Sequence, residues 1–360
     1  MGYTGRYETP KKPVRWKRVI LITFIVILAL ILALILAAVI YWNVMLSKIN
    51  HVDTHDTETL SQEQIQEILG DIDHENAVDN TEPTDPLVTD DSQMTSQGDK
   101  VINILLIGQD KRTNSGVARG LSDTMILCSI NLEDKTITFT SFMRDMYVKL
   151  PNYNGMTCGY NRINTNYALG GMGMLDQCLL ENFGVEVDHN VEVDFEGFKD
   201  IVDLMGGVDI ELTKAEANAL NKKDASWKMR EGVCHLNGEQ ALYYARLRKI
   251  DSDFNRTNRQ RNVMVALMNK LKTMDVADIH KLLNTILPMI TTDMTNEEIT
   301  EYATLLIPML MDLEIQTLRI PADDAYYSAN KGTEEEPMYV LVPDLEKNRA
   351  LLREYIGTEE

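Results

Sequence analysis

The sequence predicts an α/β domain with a mixed central sheet covered by helices, carried behind one transmembrane helix and a disordered stalk. Three observations predict this. From about Val101 onward, short apolar runs bounded by turn residues alternate with segments of helical period, the pattern of strands interleaved with helices. Near the N-terminus a long, uncharged aliphatic run follows a basic flank. Between the two lies a stretch dominated by Asp, Glu, Gln, Thr and Ser.

Residues 1–18 carry Arg6, Lys11, Lys12, Arg15, Lys17 and Arg18 against one acidic residue, Glu8, and are expected to be a cytoplasmic tail. Residues 19–43 follow as the expected span. They match the roughly 20 apolar residues that cross a hydrocarbon core, and they exceed the about 7–15 of a cleavable signal peptide. Tyr41 and Trp42 suit the membrane interface. The basic flank precedes the span, so the N-terminus is expected in the cytoplasm and the remainder outside the cell membrane. Residues 44–100 are expected as a flexible acidic extracellular stalk, because low hydrophobicity and like charge leave too little burial to offset ordering entropy. Within it, LSQEQIQEIL has helical spacing, but the flexible reading is preferred to a short helix or coiled-coil seam.

The extracellular domain is expected over residues 101–360. VINILLIG is a buried strand, TMILCSI (124–130) a second and KTITFTSF (135–142) a third, with Asn131–Asp134 as the hairpin turn between the last two. Residues 161–183 have a helical period interrupted by Gly170, Gly171 and Gly173. HNVEVDF reads as a strand, FEGFKDIVDLM as a helix with Phe195, Phe198, Val202 and Met205 on one face, Gly206–Gly207 as its stop, and VDIEL as another strand. Helices are expected over 237–246, 255–273, 276–289, 295–310 and 343–355, and a strand over 315–320. There is no internal repeat.

The net charge of −20 excludes general nucleic-acid binding, which needs a basic footprint. The four cysteines, Cys128, Cys158, Cys178 and Cys234, lie in the expected exported part, where disulfides are permitted. They form no CxxC pair and allow three pairings; Cys128, inside an apolar run, suits a buried thiol equally well. The scattered histidines present no metal-ligand spacing. GxSxG, Walker and HExxH signatures are absent, and GGMGM (170–174) reads as a packing or hinge feature, not a phosphate loop.

Arginines cluster on this acidic chain. YYARLRKIDSDFNRTNRQR holds Arg246, Arg248, Arg256, Arg259 and Arg261 within sixteen residues. Arg256, Arg259 and Gln260 share a helical face, and Arg246 and Arg248 flank Leu247, so extended backbone points both to one side. Guanidinium forks match phosphate oxygens, although a surface ion-pair face accounts for such a cluster as well. Asp110 follows NILLIG, Asp123 opens TMILCSI, and Arg144 and Asp145 follow the third strand. Loops at strand ends are where α/β domains place ligands. Two aspartates beside arginines suit Mg²⁺ shared with substrate phosphates.

In this order, NILLIGQDKR, LSDTMILCSIN, SFMRDMYV, NRINTNYALGG, VEVDFEGFKDIVDLMGGVDIEL, LNGEQALYYARLRK and DFNRTNRQR resemble the LytR-CpsA-Psr (LCP) family of cell-wall glycopolymer ligases, over about residues 100–273. The resemblance implies Mg²⁺-assisted transfer of a teichoic-acid-like or capsular glycopolymer from a polyprenyl-pyrophosphate carrier to a peptidoglycan hydroxyl. It implies that Asp110 and Asp123 organise the metal and that Arg144, Arg246, Arg248 and Arg256 bind pyrophosphate, with Arg162 and Gln260 near the head group. The chain departs from the family pattern at Met143, where a proline is usual, and at Asn255, where a glycine is common. As the bond between pyrophosphate and sugar breaks, charge collects on the leaving group, where preplaced arginines and Mg²⁺ act most strongly. Asp145 and Asp253 are the candidates for the base. An envelope sensor or scaffold without catalysis, and a pyrophosphatase using the same groups on water, are the competing readings.

Overall fold

The computed structural model describes residues 31–34, 36–54, 60–69, 101–109, 120–248, 250 and 253–356. The chain divides into two compact units, Met1–Lys48 and Ile49–Glu360. In the first, residues 31–34 and 36–46 are helical (α1), and Ile31, Leu32, Leu34 and Leu36 are exposed. Among the described residues no helix is long and apolar enough to cross a membrane; residues 19–30 and 35 of the expected span lie outside them.

The second unit is built on a mixed sheet, and its strands follow in chain order. They are β1 Asn50–His51, β2 Val101–Gln109, β3 Ser122–Asn131, β4 Thr136–Phe142, β5 Tyr147–Lys149, β6 Tyr160–Arg162 and β7 His189–Asp194. After these come β8 Val208–Leu212, β9 Gly232–Leu236, β10 Ile290–Thr292, β11 Glu314–Ile320, β12 Tyr326–Asn330 and β13 Tyr339–Pro343. Among the described residues the main sheet has seven strands in the order β1-β10-β7-β2-β3-β4-β11. Strands β7, β2, β4 and β11 run in one direction and the other three oppose them. The expected turn joins β3 to β4. Asn131 Oδ1 accepts from the backbone of Glu133 and Asp134 at 3.0 Å each, so the side chain closes the turn by standing in for a backbone acceptor.

The helices are α2 Gln62–Leu69, α3 Thr165–Phe183, α4 Phe195–Leu204, α5 Lys214–Lys223 and α6 Gly238–Ala245, then α7 Asp253–Leu271, α8 Val276–Ile286, α9 Asn296–Leu306 and α10 Leu345–Ile356. One sheet face sends Leu105, Ile107, Met125 and Leu127 against α2, α3 and α10. The other sends Ile126, Cys128, Ile130 and Phe139 toward α7 and α9. Cover on both faces is why TMILCSI is apolar throughout instead of alternating. A separate core joins α4 to α8 with the hairpin β8–β9, so VDIEL, expected as a strand, forms its own two-stranded sheet.

Two pieces of the 44–100 span are folded. Asn50–His51 adds a strand to the sheet edge, and LSQEQIQEIL forms α2, burying Ile65 against the core. Here the flexible reading is corrected: the isoleucines and leucines of this patch find an apolar partner surface that composition does not reveal. The glycine run bends α3. Gly171 takes φ 64°, ψ −148°, a conformation open essentially to glycine alone, and a Cβ on Gly173 would sit 2.6 Å from the Thr54 carbonyl oxygen. The four cysteines are thiols, and burial pushes Cys128 and Cys178 up to about 12.

Under the sheet edge, Asn190 Nδ2 donates to Asp176 at 2.7 Å and to Asp293 at 3.0 Å, and His189 lies 3.6 Å from Asp293. Burial raises Asp176 from 3.8 to about 7, with the Asn190 bond lowering it and the Asp293 charge raising it as lesser influences. The folded state therefore binds the Asp176 proton more tightly than the unfolded chain. That contribution to stability is complete below about pH 3.8 and is lost as pH rises through about 7. Urea unfolding across this range should show a steeper loss of stability in the parent than in Asp176→Asn. Parallel curves would exclude the assignment.

Candidate active site

The carboxyl ends of β2, β7, β4 and β11 lie on one edge of the sheet, the place where α/β folds set their ligands. β3 begins at the same edge, and its register with β4 places Asp123 opposite Arg144 when continued past the pair Ile126–Ser141. Arg144 Nη1 lies 2.6 Å from Asp123 Oδ1, and its Nε lies 3.5 Å from Asp145 Oδ2. Arg248 Nη2 reaches the same Asp123 oxygen at 3.5 Å. Arg162 Nε lies 3.4 Å from Asp145 Oδ1. The result is a row of alternating charge, Arg248–Asp123–Arg144–Asp145–Arg162, in which three guanidiniums face two carboxylates. Arg246 adds a further cation, its Cζ 4.2 Å from the centroid of the Phe195 ring at the start of α4. The surplus of positive charge, held in planar forks, suits an anion with several oxygens.

Helix α7 braces this row. Gln260 Nε2 donates to Thr124 Oγ1 at 3.0 Å, beside Asp123, and Thr257 Oγ1 lies 3.1 Å from Met143 Sδ, beside Arg144. Arg256 is buried one turn before Gln260. Arg259, in contrast, turns away from the row: Nη1 pairs with Glu216 at 3.3 Å and Nη2 donates to the Leu247 carbonyl at 2.6 Å. It thereby fastens the short segment whose exposed ends are Arg246 and Arg248, while Leu247 is buried between them. Arg261 faces Arg319, and burial, followed by the Arg319 charge, brings it down to about 10.

Met143, where the family pattern favours proline, donates its N–H to the Ile320 carbonyl at 2.8 Å, a bond proline cannot make. The Arg144 loop is thus tied to β11 by a different device. Asp110 and the side chain of Asp253 lie outside the described residues. Of the remaining expected site residues, Asp123, Arg144, Asp145, Arg162 and Arg248 meet in one row. Arg246 stands over Phe195 at the start of α4, Gln260 reaches Thr124 from α7, and Arg256 is buried on α7 one turn before it. Sequence reasoning missed Phe195, Thr124 and the Glu216–Arg259 pair; the ring was assigned to the core face of α4, and no local spacing links 216 to 259.

Among the described residues no group of three or more His, Cys, Asp or Glu is placed to hold a metal ion. Mg²⁺, however, commonly takes one or two carboxylates and completes its shell with substrate phosphates and water. Asp123, at the strand edge among phosphate-matching arginines, fits as one such ligand.

Comparison with known proteins agrees with this geometry. The chain is 31% identical over 268 residues to the polyisoprenyl-teichoic acid–peptidoglycan teichoic acid transferase TagV of Bacillus subtilis, covering 71% of this chain and 65% of that protein. It is 36% identical over 188 residues to the corresponding transferase TagU of Bacillus anthracis, covering 50% and 57% respectively. The match therefore spans between half and two thirds of the length of these relatives. Among solved structures, B. subtilis TagV superposes with a TM-score of 0.56 at 26% identity, over 72% of this chain and 99% of that one. The B. subtilis protein YwtF (TagT) with bound octaprenyl pyrophosphate superposes at 0.53 and 22% identity, over 72% and 92%, and shares the fold. The model of the LytR_cpsA_psr family matches residues 61–346, and the chain belongs to the LytR-CpsA-Psr family.

Proposed function

We propose that this protein transfers a glycopolymer from a polyprenyl-pyrophosphate carrier to a hydroxyl of peptidoglycan, outside the cell membrane. The observation that carries the reading is the convergence of Arg144, Arg248 and Arg162 on Asp123 and Asp145 at the carboxyl edge of the sheet. Related chains bearing the transferase name, and a similar fold with octaprenyl pyrophosphate bound, support it.

In this scheme Arg144, Arg246 and Arg248 hold the pyrophosphate oxygens, with Arg256 and Gln260 behind them. The acceptor oxygen forms the new bond, and the bond that breaks leaves its electron pair on a phosphate oxygen. Guanidiniums fixed beforehand by Asp123 and Asp145 stabilise that charge without reorganising. Asp123, with Asp110, would hold Mg²⁺, which when bound shares the phosphate charge. Asp145, between Arg144 and Arg162, keeps both forks aimed and is the candidate acceptor for the hydroxyl proton, with Asp253 at the start of α7 as the second. The basic tail 1–18 and the span 19–43 are proposed to carry the domain on the outer face of the membrane, close to its lipid donor.

Asp123→Ala tests the reading. Because a partly exposed ligand is lost and not core volume, Mg²⁺-dependent transfer of a labelled glycopolymer should fall by at least about a hundredfold. The melting temperature should stay within a few degrees of the parent's. Undiminished transfer would make the carboxylate structural, and release of polymer to water in place of peptidoglycan would identify a pyrophosphatase.

A further inference from the structure

A strip of paired cations and rings leads away from Arg246 along α6. Tyr243 lies three residues before Arg246, about 4.5 Å along the axis, and that spacing puts the two side chains on one face. Lys223, in the last turn of α5, holds its Nζ 5.8 Å from the Tyr243 ring centroid, and Trp227 meets the same ring edge-on at 5.9 Å and 71°. Lys223 over Tyr243 is therefore followed on α6 by Arg246 over Phe195. The loop that carries Trp227 is fixed. Asn221 Nδ2 donates to the Met229 carbonyl at 2.8 Å, the Met229 N–H donates to Asn221 Oδ1 at 2.7 Å, and Asp224 accepts from the Ser226 N–H at 2.8 Å. Among the described residues the Trp227 indole N–H and the Tyr243 hydroxyl meet no hydrogen-bond partner, and neither atom is buried. None of Lys223, Trp227 and Tyr243 serves the pyrophosphate chemistry described above.

Charge, burial and continuity select the occupant. Residues 222–231 expose four cations, Lys222, Lys223, Lys228 and Arg230, against two carboxylates, Asp224 and Glu231, on a chain of net charge −20. Asp224 is engaged by Ser226, and Glu239, one turn before Tyr243, lies within electrostatic reach of Lys199 on α4. A local surplus of cations on an acidic protein favours an anionic ligand. The Trp227 and Tyr243 rings pack against the core that joins α4 to α8, so they are not free to sink into a bilayer as the rings of a membrane-binding face do. Each still offers an apolar face with a polar tip, which complements a sugar ring. The polymer of the donor is bonded to the pyrophosphate that Arg246 holds, and it must leave the site over an adjoining face. We propose that Lys223, Trp227 and Tyr243 bind the phosphate-bearing glycopolymer arm of the lipid-linked donor, with sugar faces on the rings and a phosphate on Lys223. This rests on the transfer reading and adds to it the path that the polymer takes.

The test uses the full chain in nanodiscs of uncharged lipid and three probes: soluble poly(glycerol phosphate), uncharged dextran and octaprenyl pyrophosphate. Lys223→Gln should weaken poly(glycerol phosphate) binding by about fivefold or more, and Lys223→Arg should keep it within about twofold, because the charge is retained. Trp227→Leu should weaken it by about threefold or more through loss of the ring face. Octaprenyl pyrophosphate, which lacks the polymer, should bind all three variants as it binds the parent, and the exposed Lys223 variants should keep the parent's melting temperature. Unchanged poly(glycerol phosphate) affinity in Lys223→Gln overturns the proposal, and weaker binding to anionic phospholipid vesicles in that case assigns the strip to the membrane. A parent that does not bind poly(glycerol phosphate), or binds dextran as tightly, also overturns it. So does a loss of octaprenyl pyrophosphate affinity in Lys223→Gln, by placing the lysine in the pyrophosphate site. A parent that binds poly(glycerol phosphate) through Lys223 but no octaprenyl pyrophosphate supports the polymer surface and overturns the transfer reading.

Discussion

Arg248→Ala is expected to weaken binding of a polyprenyl-pyrophosphate donor by at least about tenfold, and Arg246→Ala and Arg256→Ala by a similar factor. A charge-assisted bond to phosphate contributes about 1.5–3 kcal/mol, and about 1.4 kcal/mol is a factor of ten in affinity. Exposed ion pairs contribute only about 0–1 kcal/mol, so a surface salt-bridge role for the exposed Arg246 and Arg248 predicts almost no change. Arg248 separates the two cases well. It is half exposed and its contact with Asp123 is long, 3.5 Å, so its loss should barely disturb the fold. Lysine at 248 should recover part of the affinity, since an ammonium keeps the charge but not the bidentate fork. Titration with octaprenyl pyrophosphate measures all four variants, and parent-like affinity throughout would move the pyrophosphate site elsewhere. Arg246→Ala carries an added loss, the cation's contact with Phe195, worth about 0.5–1 kcal/mol where exposed.

Arg259→Ala should behave quite differently, destabilising the domain by about 3–5 kcal/mol, the range for breaking a buried ion pair by removing one partner. Arg259 is 2% exposed and Glu216 lies beside it at 10%. The Glu216 carboxylate would retain its second oxygen's bonds to Thr213 in the α5 capping box, so the cost falls mainly on the oxygen that faced the guanidinium. The Leu247 carbonyl would lose its donor at the same time. Surviving folded protein should therefore also bind the donor less well, because the segment carrying Arg246 and Arg248 is no longer fastened. Pairing Arg259→Ala with Glu216→Ala should restore part of the stability and none of the binding. Chemical unfolding and donor titration on the same samples check both halves. An unchanged midpoint for Arg259→Ala would exclude the buried-pair account.

Much of the fold was legible because its signals are local. VINILLIG, TMILCSI and KTITFTSF are β2 to β4 nearly residue for residue: the first two are mostly apolar because both sheet faces are covered, and the third alternates threonine with isoleucine and phenylalanine at the period of a strand. Gly206 and Gly207 end α4 at positive φ, with Gly207 N–H donating to the Val202 carbonyl at 2.8 Å, as a helix stop by glycine requires. The hairpins β5–β6 and β12–β13 were not legible. Their strands are three to five residues long and partly polar, and β5 gains its neighbour from a bridge between Met146 and Leu341, far along the chain.

By itself the sequence determined which groups are available for chemistry: an arginine set unusual on an acidic chain, aspartates at strand ends, and apolar runs that bring those ends to one edge. Only the tertiary structure decided how the set divides. Arg256, Arg259 and Gln260 share a helical face by spacing, yet Gln260 reaches Thr124 on β3 while Arg259 reaches Glu216 and Leu247. A helical face aims Cα–Cβ bonds, whereas a long side chain ends where a partner of matching charge is buried, and those partners lie far away in sequence. The same holds for Phe195, which periodicity assigns to the core stripe of α4 but which lies at the first position of the helix under Arg246. Position along the helix sets the period, and what packs on its end sets the role.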